Sequence, residues 1–431
     1  MKALGYLGIS LLSGCAANNG SNDEGVGASG GTNGHAGSAG SVSAGSGSGG
    51  TSASGGSTSG GTASTAGSGG SALGGSAASA GSSGSGGAPH VVSNCDALPA
   101  AGTWELISPS DWASSPMNEA LQVALSPQNS AIVYAAAGDK TNGGDGGTGI
   151  FKSTDCGANW TKVSTGTHSA ELETGDTWGL AIDPENADVL YASNGYGSPP
   201  TLFKSVNGGV DWDELIADGS DLATAVGGNF VQGFSLEPGN ADHVVVTFHF
   251  NCAGDFAPMC LAETTDGGSS WRAFKGPTSG WSEGAGPTVL GPTTFLYGTG
   301  GALYYTSDSG ANWEKVADNG GGAHYTSGDG TMYIGGDSGL MKSLDGQAWS
   351  NVPSSPKASG LIGDGTNLYA VYQNDYSGKP VYTALESDPT SWTNMTTPAI
   401  KQGGGALAFD HDHHVFYGAF WGAGLWRYVA E

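Results

Sequence analysis

Short runs of alternating apolar and polar residues fill the chain from about residue 100 onward. "WGLAID" (178–183), "VLYAS" (189–193), "TLFKS" (201–205) and "WDELI" (212–216) are four such runs in succession, with the turn "PENAD" between the first two. Alternation of period two marks strands with one buried face. The same succession precedes them as "ALQVALS", "AIVYAAA", "GIFKS" and "WTKV". It follows them as "VQGFSLE", "HVVVTFHF", "CLAET" and "WRAF". Three more groups come after, built around "PTVLG" with "FLYGT", "YTSGD" with "MYIGG", and "LIGDG" with "LYAVY". Helical periodicity is absent, so the pattern predicts an all-β domain of four-stranded units.

A turn recurs between the third and fourth run of each unit. It reads "STDCGANW" to Trp160, "SVNGGVDW" to Trp212, "TTDGGSSW" to Trp271 and "TSDSGANW" to Trp313. A shorter "SLDGQAW" ends at Trp349 and a worn "SDPTSW" at Trp392. Intervals of a few dozen residues suit one four-stranded propeller blade. The end of the chain holds three strands without a fourth: "GALAFD", "VFYGAF" and "GLWRYV". The start holds one strand alone, "TWELIS", whose Trp104 matches the tryptophan that opens each fourth strand. The N-terminal strand is therefore expected to complete the last blade, giving a seven-bladed β-propeller with few free edges.

The recurring turn resembles the Asp-box, or bacterial neuraminidase repeat, Ser/Thr-x-Asp-x-Gly-x-x-Trp. Ser153, Asp155, Gly157 and Trp160 match it in full, as do the copies with Asp266 and Trp271 and with Asp308 and Trp313. Asn207 stands for Asp in the copy ending at Trp212, and the copy with Asp345 and Trp349 is degenerate. Sialidases, xyloglucan-active hydrolases, sortilin-type receptors and a photosystem assembly factor share the repeat, so it implies fold and not function. The resemblance places the motif in the turn between third and fourth strands, with a structural role. There, Asp and Ser accept backbone N–H bonds, Gly supplies a positive φ, and Trp caps the gap between blades. It also implies two faces. First-to-second and third-to-fourth turns share the motif face. Second-to-third loops and blade-to-blade connections share the other face, where ligands of such families usually bind.

The first fifteen residues, "MKALGYLGISLLSGC", carry Lys2, an apolar run too short to span a bilayer, and Leu12-Ser13-Gly14-Cys15. They resemble a bacterial lipoprotein signal, which implies cleavage before Cys15 and lipidation of its thiol. Two or more acyl chains anchor stably where one does not. Residues 16–95 are mostly Gly, Ser, Ala and Thr, with too little apolar surface to offset the ordering entropy of a fold, and read as a disordered linker. The propeller is expected over 96–431. These readings describe an exported, lipid-anchored monomer at the outer membrane or surface of a bacterium. The formal net charge is −26, from 13 Lys+Arg against 39 Asp+Glu. Such a field repels a phosphate backbone and excludes nucleic acid as a natural partner.

With Cys15 assigned to the lipid, four cysteines remain in an oxidising context. On the faces implied by the resemblance, Cys252 and Cys260 share one second-to-third loop, while Cys156 lies in a motif turn on the opposite face. A strand's length, roughly 15 Å, separates them, beyond disulfide reach. Cys95 precedes the closing strand, which starts on the motif face, so Cys95–Cys156 and Cys252–Cys260 are the expected pairs. "DHDHH", Asp410 to His414, has metal-binding residue types. It aligns with a first-to-second turn on the motif face and is read as a solvated turn. No metal and no cofactor are expected.

The opposite face is expected to carry Glu119, Asp176, Trp178, Asn229, His249, Asn251, Trp281, Glu283, His324, Tyr325 and Trp421. Aromatic rings beside carboxylates suit sugars, since rings stack on the pyranose and polar groups orient its hydroxyls. A sialidase would need three arginines for the substrate carboxylate, and only Arg272 and Arg427 are present. A glycosidase would need two acids across the bond, from Glu119, Asp176 and Glu283. A lyase would need a base such as His249, His324 or Tyr325 and a cation such as Lys275 or Lys401 to neutralise a uronate. The leading expectation is a non-catalytic surface module that binds a glycan or a protein. The alternative is a carbohydrate-active enzyme, a hydrolase before a lyase.

Overall fold

The computed structural model describes residues 90–114, 119–138, 149–217, 219–280, 286–299 and 301–431, without the side chains of 113, 114 and 119. Cys15 and the linker up to residue 89 lie outside the described residues. So do Trp281, Glu283 and the side chain of Glu119.

Seven four-stranded sheets succeed one another along the chain. We number them as blades 1 to 7, with first strands beginning at Glu119, Asp176, Val231, Thr288, His324, Gly360 and Gly404. The first strand of blade 7 packs against that of blade 1, so the sheets form a ring. Blade 7 is composite. Its inner strands are Gly404–Asp410, Val415–Phe420 and Gly424–Val429, and its outer strand is the N-terminal Trp104–Leu106, antiparallel with Trp104 opposite Tyr428.

Blade 2 illustrates why these sequences form sheets. Its strands are Asp176–Asp183, Asn186–Gly195, Leu202–Ser205 and Asp213–Glu214. Leu180, Leu190, Ala192 and Phe203 point to one face and are fully buried with Tyr134 and Ile150 of blade 1, while Ala181, Tyr191 and Leu202 point to the other and are buried against Phe234 and Val244 of blade 3. The core therefore lies between blades, not within any one of them. The expected fourth strand 212–216 contracts to two residues because an outermost strand has one neighbour and Asp213 faces solvent. Charge on such an edge also discourages pairing with a second chain. Two short helices, Ser169–Leu172 and Asp221–Val226, sit in blade connections. They are too short to imprint a period on the sequence. The second is marked only by its caps: Ser220 Oγ accepts from Ala223 N at 3.1 Å, and Gly227 closes the helix with φ 78°.

Each recurring turn is held by its own side chains. Ser153 Oγ accepts from Gly157 N at 2.8 Å and donates to Asp155 Oδ1 at 2.7 Å. Asp155 accepts the backbone N–H of Asn159 at 2.8 Å and its side-chain amide at 2.7 Å. Thr264 with Asp266, and Thr306 with Asp308, repeat the arrangement. In blade 2 the acid and amide have exchanged places. Asn207 Oδ1 accepts from Asp211 N at 2.9 Å, while Asn207 Nδ2 donates to Asp211 Oδ2 at 2.8 Å. The tryptophans bond in two ways. Trp212 and Trp349 donate to Gly209 and Gly346 of their own turns. Trp271 and Trp313 donate to the carbonyls of Leu215 and Lys275, one blade back.

The seam between blades 7 and 1 is covered by the N-terminal arm. The structure joins Cys95 to Cys156, and Cys252 to Cys260. Arg427 is 1% exposed. It donates to Glu105 at 2.8 Å, to the Cys156 carbonyl at 2.7 Å and to the Ala97 carbonyl. Tyr417 OH donates to the same Cys156 carbonyl at 3.1 Å. The turn Asp410–His414 is part of this seam and not simply solvated. Asp410 is buried and bonds His413 Nδ1 at 2.7 Å, and Asp412 accepts from Ser130 at 2.8 Å and pairs with His90 at 2.7 Å. Ligand-type atoms of Cys95, Cys156, Asp410 and His413 lie within 4.8 Å of one another. The two sulfurs are bonded to each other, and Asp410 is bonded to His413.

Candidate functional site

On the face opposite the motif turns, the ends of strands from blades 2 and 3 bring five rings together. Trp178 stands near the start of the first strand of blade 2, and Tyr196 follows the second strand. Phe230 precedes Val231, and His249 and Phe250 follow Asn240–Phe248. Pairing of Asp176 with Gly195, and of Val231 with Phe248, aligns these ends. The Phe230 and His249 rings stack at 4.7 Å and 17°. Trp178 meets Phe230 edge-on at 5.4 Å, and Tyr196 lies 4.8 Å from Phe230. Phe250 meets His249 at 4.5 Å. Such offset and edge contacts are the favoured arrangements of aromatic rings. A Cβ on Gly195 would come within 2.5 Å of the Trp178 ring, so the close approach requires glycine there.

The cluster is buried at its base and open at its top. Trp178 and His249 are buried, whereas Tyr196 is 40% and Phe250 50% exposed. Burial holds the His249 pKa below its ordinary value, so the ring is neutral at pH 7. Its Nε2 lies 3.1 Å from Tyr196 OH, within hydrogen-bonding distance. Phe250 is fixed through its backbone: its N–H donates to Asn229 Oδ1 at 2.9 Å, and Asn229 Nδ2 donates to its carbonyl at 2.5 Å. The Cys252–Cys260 bridge closes the loop just beyond. Below the exposed rings, Leu121, Trp178 and Phe230 form an apolar cluster with Trp421 packed against it, drawing together blades 1, 2, 3 and 7.

Four residues named from sequence thus meet here: Trp178, Asn229, His249 and Trp421. Asp176 lies two residues before Trp178, with Oδ1 where a Cβ on Gly138 would come within 2.6 Å. Asn251 follows Phe250. His324 and Tyr325 lie elsewhere, on the first strand of blade 5. His324 is buried, which pushes its pKa down to about 4. Tyr325 OH donates to Glu386 at 2.7 Å, in the third-to-fourth turn of blade 6. Of the three named carboxylates, only Asp176 has a described side chain. Arg272 is engaged with Glu263 and the Ser309 carbonyl, and Arg427 with the seam. The sequence reading passed over Tyr196, Phe230 and Phe250. The available signal was "NGYGS", where an aromatic residue sits between glycines in a second-to-third loop.

No family model matches the chain. Over 100 residues it is 37% identical to a xyloglucanase of Hypocrea jecorina (strain QM6a), a stretch that is 22% of this chain and 11% of that protein. The chain thus spans a small part of that relative. Among solved structures, a GH74 xyloglucanase from Xanthomonas campestris aligns with a TM-score of 0.52 and 16% identity, over 75% of this chain and 53% of the other. YCF48 bound to D1 peptide aligns with a TM-score of 0.50 and 12% identity, over 80% of this chain and 99% of the other. These likenesses agree with the sheet topology: the chain is a seven-bladed β-propeller of the architecture found in those proteins.

Proposed function

We propose that the chain is an exported, lipid-anchored propeller that binds a neutral polysaccharide on the face opposite its motif turns. One observation carries the reading: Tyr196 and Phe250 are half exposed while their positions are fixed from beneath by His249, Asn229 and Phe230. The two rings adjoin at 6.4 Å, and contiguous exposed apolar surface, unlike a single exposed side chain, marks a binding site. Rings held in place in advance lose little entropy on binding, which suits stacking against pyranose faces. The local likeness to a xyloglucanase supports a glycan over other ligands.

The test is retention of the full chain on immobilised polysaccharides, xyloglucan among them. Phe250→Ala and Tyr196→Ala are each expected to weaken retention about tenfold, from ~1.4 kcal/mol per lost ring contact. Retention unchanged in both variants overturns the reading. A glycoside hydrolase is the second reading, favoured by the same local likeness and by Asp176 at the border of the ring cluster. It requires release of soluble sugar that stops in Asp176→Asn.

A further inference from the structure

A second feature of the ligand-facing side lies in blade 6. The loop between its second and third strands, residues 372–380, faces the connection that follows its fourth strand, residues 395–403. Between them is a pocket of about 380 Å³ whose lining includes Tyr376, Ser377, Lys379, Asn394, Thr396 and Lys401. Its walls are tied together. Asn394 Nδ2 donates to the Lys379 carbonyl at 2.9 Å, and Gly403 N donates to the Asp375 carbonyl at 3.1 Å. Thr396 Oγ1 accepts from Val381 N at 2.9 Å. These bonds engage Asn394 and Thr396 and join the two segments that line the pocket.

The charge here runs against the rest of the molecule. The chain has 13 Lys+Arg against 39 Asp+Glu. Two of those cations line this one pocket, both exposed and neither in an ion pair among the described residues. Two carboxylates adjoin the loop: Asp375 accepts from the Ser377 N–H at 2.7 Å, and Asp337 accepts from Tyr372 OH at 2.8 Å. Lys357 adds a third cation beside the pocket's parent loop, 5.4 Å from the Tyr372 ring. Tyr376 is 69% exposed at the mouth. An anion approaching so acidic a surface is repelled on average. It is held only where cations converge and the Debye length, ~8 Å at physiological salt, screens the remainder.

We propose that this pocket is a subsite for a uronate residue of an acidic polysaccharide. Lys379 and Lys401 receive the carboxylate, and Tyr376 stacks on the sugar ring. The proposal rests on the glycan reading but concerns different residues of the same side. It also extends the ligand from neutral sugars to chains that carry carboxylates.

Calorimetric titration of the full chain with trigalacturonate, cellotriose and sodium sulfate tests it. Trigalacturonate is expected to bind more tightly than the other two, with an affinity that falls as salt rises. Lys379→Gln and Lys401→Gln should each weaken it at least fivefold and flatten the salt dependence. Tyr376→Ala should weaken it about tenfold, and Phe250→Ala should leave it within twofold. All three pocket side chains are exposed, so an unchanged melting temperature accompanies each loss. No trigalacturonate binding, equal binding of cellotriose, or indifference to both lysine variants overturns the proposal. Sulfate binding as tightly as trigalacturonate reduces the site to a simple anion site and overturns it too. Failure of the polysaccharide reading shows separately, as retention that ignores Tyr196 and Phe250.

Discussion

His243 sits between two carboxylates in blade 3. It is 1% exposed, with Nδ1 2.9 Å from Glu237 and Nε2 3.0 Å from Glu263. Burial opposes its charge, but Glu263 and Glu237 outweigh burial and raise its pKa above the ordinary value. The stability this contributes is complete below about pH 6.5 and is lost as pH rises through the raised value. Melting temperature should therefore fall on the alkaline side, and His243→Gln should remove that limb of the profile. The same variant leaves Glu237 buried without its cation and is expected to cost about 3 kcal/mol in denaturant unfolding. The motif aspartates act with the opposite sign. Asp266, bonded by the Ser270 hydroxyl and N–H, has its pKa lowered to about 2, and Asp308 is lowered mainly by Asn312. Their contribution is present above about pH 4 and lost as pH falls toward 2. The exchange at Asn207 and Asp211 adds a sharper test. Asp211→Asn alone puts two amides face to face, whereas adding Asn207→Asp restores the order of the other turns. The single variant should melt lower and the double variant should recover, as a double-mutant cycle would show. At this scale the sequence was informative where a residue type was costly in its context, as for Trp178 at the start of a strand and Trp421 in the turn after one. It was silent on Phe250 because "TFHF" satisfies the strand alternation, and only tertiary structure shows that the strand ends at Phe248.

Elements with long β-rich runs were readable, and the short ones were not. The first and second strands of blades 2 and 3 carry seven to ten residues each, long apolar runs that read as strands although both faces are buried. Fourth strands of two residues, and helices of four and six, fall below any periodic signal. They are set by edge position and caps. The two disulfides differ in what they constrain. Cys95–Cys156 spans a sequence separation of 61, and chain entropy assigns it about 4 kcal/mol. Cys252–Cys260 spans 8 and is assigned about 2.5 kcal/mol. Cys95→Ser is therefore expected to lower the unfolding free energy more than Cys260→Ser. The smaller bridge should matter more for retention on polysaccharide, since it fixes the loop that follows Phe250. Denaturant titration and the retention assay, run on both variants, separate the two effects.

For the molecule as a whole, repetition made the architecture legible. One turn copied along the chain gave the number of blades, and the orphan strand "TWELIS" gave the closure. The ligand side was legible only as a list of candidates, because no repeat says which loops converge. His324 and Tyr325 satisfied the same criteria as Trp178, yet they are taken up in packing around blade 5. Among the described residues, the seam is where Trp104–Leu106 and Gly424–Val429 meet to close the ring. Arg427→Met removes the charged donor from two carbonyls and is expected to cost about 2–3 kcal/mol. Hydrogen exchange should then rise first at Trp104–Leu106, before any other blade. Equal loss of protection in all blades would show that closure carries no special weight.

The composite blade also orders events in time. Trp104 pairs with Tyr428, so a strand made before blade 1 has its partner made only after blade 6. Blades 1 to 6 are each complete within a short stretch of chain and can assemble as they emerge. Blade 7 cannot, and until its inner strands are made the first blade presents an uncovered flank. The nascent chain therefore waits as an open arc, and the step that turns it into a ring must follow synthesis of Gly424–Val429.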